Sequence, residues 1–285
     1  GTRLRRQIRR KAVFFYVLGG SERKMNEMMP KHAGRLRRKP RAIGLPKLWF
    51  IDLDDTLFEA SGGMLHAIHL RMNDFISKRL GISWEAAGAL RTAYWSQYGS
   101  TFLGMWKNHG IDPREFLPAT HDFDFRPFIQ YAGDPKSDLR RVPGKRIVFT
   151  NGPRNYADAV LAALGMRDFF DDVVTSSDMR LFGVWRPKPS ADMLLAVCAR
   201  EGVRPSQAVL VDDSLMNLKC AKRIGLRTVW CTGYRSRNGK LSNRKAPLYV
   251  DRQVTHIREL KHCFQPLTEE GLQTGQSLRL PKRMV

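Results

Sequence analysis

The segment Trp49-Phe50-Ile51-Asp52-Leu53-Asp54-Asp55-Thr56-Leu57 is an apolar run that breaks into a cluster of carboxylates. Large apolar residues at consecutive positions leave no polar face, so such a run belongs to a strand covered on both sides of a sheet. Asp52, Asp54 and Asp55 repel one another unless a cation or a proton lies between them. Side chains alternate along an extended chain, so Asp52 and Asp54 are expected to point the same way. Two convergent carboxylates can hold one divalent metal and divide nucleophile and acid/base duties. The segment therefore reads as a buried strand emptying into an active site.

Downstream, β and α patterns alternate. After Ser61-Gly62-Gly63, the residues Leu65, Ile68, Met72, Phe75, Ile76 and Leu80 recur at helical spacing, which predicts an amphipathic helix ending at Gly81. A second helix is expected from Trp84 to about Tyr98 with Ser83 as its cap, then helical pieces over 102–109 and 113–119. No strand signal of comparable strength interrupts 64–130, so this stretch reads as an all-helical insertion. Strand patterns resume over 146–150, 172–175, 208–211 and 227–230, separated by helical segments over 153–164, 190–200 and 214–224. The expected fold class is α/β, a doubly wound parallel sheet with an inserted all-helical unit. The expected organisation is a basic, solvated tail over 1–46, a core built from 47–60 and 144–264, the helical insertion over 61–143, and a polar tail over 265–285.

Composition narrows the function classes. The chain has 285 residues, 42% of them hydrophobic, enough for an ordinary globular core, and a net charge of +22. Spread over a domain, that charge would signal a nucleic acid or an anionic surface as partner. Residues 1–47, however, carry 15 Lys and Arg against two acids, so 13 of the 22 net charges sit at one end. The rest is unexceptional for a protein that handles phosphate. Nucleic-acid binding through the basic tail stands as a competing reading, whose mark would be a salt-sensitive affinity for polynucleotide. Cys198, Cys220, Cys231 and Cys263 are scattered without a C-x-x-C pair, as expected of reduced thiols in a cytoplasmic protein. The run from Ala12 to Leu18 falls far below the roughly 20 residues needed to span a bilayer. No small-x-small cleavage site follows it, which argues against a secretory signal as well.

Three expected strands end in polar motifs: Asp52-Leu53-Asp54-Asp55-Thr56, Thr150-Asn151-Gly152 and Asp212-Asp213-Ser214. In open α/β sheets the binding crevice lies at the carboxyl ends of the strands, so these motifs are expected to converge. A fourth, Arg186-Pro187-Lys188-Pro189, presents a lysine between two prolines that restrict its backbone. In kind and order these motifs resemble those of the haloacid dehalogenase-like phosphohydrolases over residues 47–264, with the helical insertion matching that family's cap. The resemblance implies that Asp52 is the nucleophile that forms an aspartyl-phosphate, while Asp54 protonates the leaving oxygen and then deprotonates the attacking water. It implies Mg²⁺ held by the Asp52 carboxylate, the Asp54 backbone carbonyl and the Asp212/Asp213 pair, with Asp213 favoured as the direct ligand and Asp212 holding Lys188 or a water on the metal. Thr150 would bind a phosphoryl oxygen together with Asn151 and Gly152, Lys188 would neutralise transition-state charge, and Asn217 would orient the acidic pair. The acid at position 54 favours ester hydrolysis over dehalogenation, because a halide leaves without a proton. Phosphomutase chemistry would use the same residues.

Within the insertion, Tyr94 to Thr101 and Thr120 to Asp124 are rich in aromatic and hydrogen-bonding groups of the kind a nucleobase or ribose needs. The Tyr-Gly-Ser-Thr stretch looks most like the pyrimidine 5′-nucleotidases of the same superfamily, which makes Tyr98, Ser100 and Thr101 candidate substrate contacts. The function implied is Mg²⁺-dependent hydrolysis of a small phosphate monoester, a nucleoside 5′-monophosphate, with a sugar phosphate as the alternative. His66, His69, His109 and His121 show no metal-ligand spacing and are expected in packing or surface roles.

Overall fold

A computed structural model describes residues 44–129, 139–234 and 245–264; both expected tails, apart from residues 44–46, lie outside the described residues. The apolar runs become strands because each is covered on both faces. Strands β1 (Leu48–Ile51), β2 (Lys145–Phe149) and β3 (Asp172–Val174) form one wing of the sheet. A separate antiparallel hairpin, β4 (Arg180–Leu181) and β5 (Val184–Trp185), follows. Strands β6 (Ala208–Asp212), β7 (Arg227–Cys231) and β8 (Arg252–Val254) form the other wing. The sheet order is β3-β2-β1-β6-β7-β8 and every pairing is parallel. The chain thus reverses its direction of winding at β1, which is the switch point where ligand crevices open in such sheets.

Alternation along the strands builds two apolar layers. Trp49 and Ile51 of β1 join Val148, Val209 and Val211 on one face, whereas Leu48 and Phe50 join Ile147, Phe149 and Leu210 on the other. Helix α5 (Arg154–Ala163) supplies Tyr156, Ala157, Val160 and Leu161 to the first layer. Helices α6 (Ala191–Arg200) and α7 (Leu215–Arg223) cover the second through Leu194, Val197, Leu218 and Ala221.

Among the described residues between β1 and β2 lie four α-helices: α1 (Met64–Leu80), α2 (Trp84–Tyr98), α3 (Thr101–His109) and α4 (Pro113–His121). The terminators read from the sequence act as such. Ser83 caps α2 by accepting from the Ala86 backbone N–H at 3.2 Å, and Gly81 ends α1 in the left-handed conformation at φ 65°. These helices have their own apolar centre, in which Ile76, Tyr94, Phe102, Met105 and Phe116 are buried. Trp185 of the β4–β5 hairpin belongs to that same centre, edge-on to Phe102 with ring centroids 6.3 Å apart. No described helix is long and apolar enough to cross a membrane.

Candidate active site

Strand register decides which acids meet. Ile51 pairs with Val148 on one side and with Val211 on the other, so the residues that follow, Asp52 just past β1 and Asp212 at the end of β6, lie side by side. The Asp52 backbone N–H still donates to the Val211 carbonyl at 3.0 Å, which pins the turn at this level. The strand itself ends at Ile51, so strict alternation does not reach Asp54. Asp52 and Asp54 accordingly find different partners.

Lys188 Nζ donates to Asp52 Oδ1 at 2.5 Å and to Asp212 Oδ2 at 3.0 Å, all three side chains being buried. Burial alone would lower the lysine, but the Asp212 and Asp52 charges outweigh it and hold the ammonium well above its usual range. Burial pushes Asp52 upward, Lys188 opposes that, and the neighbouring acids Asp212, Asp213 and Asp54 add to the rise. A site that crowds carboxylates so strongly favours an added cation. One oxygen from each of Asp52, Asp212 and Asp213 lies within 4.8 Å of the others.

Asp212 is fully engaged. Its Oδ1 accepts from the Ser214 backbone N–H at 2.8 Å and from Asn217 Nδ2 at 2.9 Å, and its Oδ2 accepts from Asn217 Nδ2 at 3.0 Å as well as from Lys188. Asn217 stands at the start of α7, one turn beyond the strand end, so the helix sets its reach.

Asp54 is bound by Tyr156, a residue of the apolar layer that holds Trp49 and Ile51, whose Oη donates to Asp54 Oδ1 at 2.5 Å. Burial raises the Asp54 carboxyl to about 6, partly offset by the tyrosine bond, which favours the anion. The Asp55 carboxylate is bound within its own loop: its Oδ1 accepts from the Ser61 backbone N–H at 2.8 Å, and its Oδ2 accepts from the Ser61 hydroxyl.

Thr150 follows β2 and is buried. Its Oγ1 accepts from the Gly152 backbone N–H at 3.0 Å, leaving the hydroxyl proton available. Asn151 clamps the lysine from behind: its Oδ1 accepts from the Lys188 backbone N–H at 2.7 Å, and its Nδ2 donates to the Lys188 carbonyl at 2.9 Å. The Asn151 side-chain amide is thereby committed to the lysine backbone.

The insertion residues assigned to substrate are placed differently from one another. The Tyr98 hydroxyl accepts from Asn108 Nδ2 at 3.2 Å and its ring carries Lys107 Nζ 5.0 Å from the centroid, so it is engaged with α3. Thr101 is buried and its hydroxyl donates to the Arg91 carbonyl at 3.2 Å, while Ser100 is buried beside it. It is Gly99, with φ 75°, that meets the lysine segment: a Cβ there would fall 2.4 Å from Pro189 Cδ and 3.0 Å from the Lys188 carbonyl oxygen. Trp185 and Tyr156 were not singled out by motif, because each resembles ordinary core in sequence, and Gly99 entered only as part of the Tyr-Gly-Ser-Thr stretch, with no role of its own.

A family model for haloacid dehalogenase-like hydrolases matches residues 46–225. Validoxylamine A 7′-phosphate phosphatase of Streptomyces hygroscopicus subsp. limoneus is 35% identical over 86 residues, covering 30% of this chain and 37% of that protein. The chain therefore spans little more than a third of that relative. Phosphoglycolate phosphatase of Pectobacterium atrosepticum is 27% identical over 200 residues, covering 64% of this chain and 79% of that protein. Among solved structures, a HAD phosphatase from Thermococcus onnurineus superposes with a TM-score of 0.52 at 23% identity, covering 78% of this chain and 99% of that one, a likeness of fold. Matched over residues 46–225, which hold β1 to β6, the helical insertion and all four polar motifs, this chain belongs to the haloacid dehalogenase-like hydrolases.

Proposed function

We propose that the chain is a phosphomonoesterase acting on a small organic phosphate through an aspartyl-phosphate on Asp52. The observation that carries this reading is the buried Lys188 bridge between Asp52 and Asp212, with Asp54 held apart on a tyrosine. An Asp52 oxygen attacks phosphorus, the bond from phosphorus to the leaving oxygen breaks, and the leaving oxygen takes a proton from Asp54. Water then attacks the same phosphorus, gives its proton back to Asp54, and frees the Asp52 carboxylate with release of phosphate. Lys188 and the Thr150 hydroxyl are assigned to the non-bridging phosphoryl oxygens.

The clustered carboxylates of Asp52, Asp212 and Asp213 are hard oxygen donors that fit Mg²⁺, and the Asp54 carbonyl is assigned as a further donor. Asp213 is the preferred direct ligand because Asp212 already accepts from Lys188, Asn217 and Ser214. When bound, the ion supplies the positive charge that lets a carboxylate approach a phosphate dianion. Helices α1 to α4 are assigned as the cap that shuts water out during phosphoryl transfer.

For the leaving group, the names of the two relatives above favour a non-nucleotide phosphate, and the internal engagement of Tyr98 and Thr101 agrees with that. The test is phosphate release from a panel of sugar phosphates, phosphoglycolate and UMP, with Mg²⁺ and with EDTA. Release that needs Mg²⁺ and favours the sugar phosphates is expected. Preference for UMP would move the assignment to a nucleotidase, and no release from any ester would overturn the phosphatase reading.

A further inference from the structure

We propose that Tyr156 is a positioning residue for proton delivery, its phenol fixing the Asp54 carboxyl so that a defined oxygen faces the leaving group. The inference rests on the phosphatase reading above and adds a residue outside its four motifs.

Tyr156 lies on the first turn of α5 and is fully buried, yet its hydroxyl reaches across 102 residues of sequence to Asp54 Oδ1 at 2.5 Å. A phenol has one proton to give, and here it goes to Oδ1. The transferable proton of a carboxyl whose Oδ1 is an acceptor must reside on Oδ2. Without the phenol, the two oxygens are equivalent and the carboxyl turns about χ2, a broad torsion with little intrinsic preference. Tyr156 thus selects which oxygen is acidic and where it points.

The ring is held from three directions. His121, at the end of α4, lies edge-on with centroids 5.6 Å apart, and Phe125 lies edge-on at 5.0 Å. From the Thr150 turn, Gly152 leaves the space the ring occupies: a Cβ there would sit 2.7 Å from Tyr156 Cδ1. Two contacts come from the insertion, one from the end of α4 and one from the segment after it, and the third comes from the turn assigned to the phosphoryl group. A ring with this support is not needed to fill the core alone, since phenylalanine would fill the same volume. The hydroxyl is the part that core packing does not account for.

The experiment is a leaving-group series in the full chain with Mg²⁺, comparing Tyr156→Phe with the unaltered protein. The quantity read is kcat/KM, which for an irreversible first transfer ends with departure of the leaving group and excludes hydrolysis of the aspartyl-phosphate. An alkyl phosphate needs its leaving oxygen protonated, whereas p-nitrophenyl phosphate does not. Tyr156→Phe is expected to lose about tenfold or more on the alkyl ester and less than about threefold on the nitrophenyl ester, steepening the dependence of rate on leaving-group pKa. Phe125→Leu, which loosens the ring and keeps the phenol, is expected to shift the series in the same direction by less. Equal losses on both esters, or an alkyl ester rate left intact, would overturn the proposal. An unaltered protein that turns over neither ester would instead overturn the phosphatase reading, and that result is visible before any variant is made.

Discussion

Asp55 stands next to Asp54 in sequence and serves the loop rather than the site. Its backbone has φ 54°, a left-handed conformation that Asp and Asn adopt more readily than other non-glycine residues, and its carboxylate ties down Ser61. Asparagine keeps both the conformation and an acceptor for the Ser61 N–H. Asp55→Asn is therefore expected to retain activity within about threefold, whereas Asp52→Asn removes the attacking oxygen and should cost on the order of 10³-fold or more. Steady-state turnover of one ester by both variants checks this, and similar losses would show that the acids have been assigned in the wrong register. Asp52, Lys188 and Asp212 were legible because charged residues at strand ends and between prolines have few structural excuses. Tyr156 was not, since an aromatic on the apolar face of a helix reads as core until its hydroxyl is seen to have a partner 102 positions away.

At the level of elements, the helical insertion is joined to the lysine segment at two places. Trp185 sits in the apolar centre of the insertion three residues before Lys188, and Gly99 ends α2 directly against the Lys188–Pro189 backbone. A side chain at position 99 faces both a left-handed φ and atoms closer than contact distance, so Gly99→Ala must push the insertion and the lysine segment apart. Turnover is expected to fall by tens of fold or so, in keeping with the cost of a misplacement of about 1 Å near reacting groups, with a much smaller change in thermal stability. Kinetics and melting curves of Gly99→Ala report the two effects separately. Long elements with a clear period, such as α1 and β1, were readable in the sequence. The strands β4, β5 and β8 were not: two residues complete no alternation, and β8 is exposed at Arg252 and Gln253 and lacks an apolar pair such as Val173-Val174 of β3.

Over the whole molecule, buried ionisable groups tie stability to pH. His121 is 5% exposed, and burial pushes its imidazole down to about 4 from an ordinary 6.5. Between those values the unfolded chain binds a proton that the folded chain refuses, so this contribution is complete above about pH 6.5 and drains as pH falls toward 4. Asp54, raised by burial, works in the opposite sense over the same acid range, so the histidine is isolated by comparison with His121→Gln. The unaltered protein is expected to lose about 2 kcal/mol more than the variant between pH 7 and pH 5 in urea unfolding. The strand order has a consequence for biosynthesis. β1 is the first of the described strands to be made and lies between β2 and β6, so a ribosome that has released only the first wing exposes an edge of Leu48, Trp49, Phe50 and Ile51 with its backbone donors and acceptors unpaired. Until Ala208–Asp212 emerges to cover that edge, the growing chain carries an apolar template open to pairing with its neighbours, and aggregation during synthesis should respond most sharply to changes that delay β6.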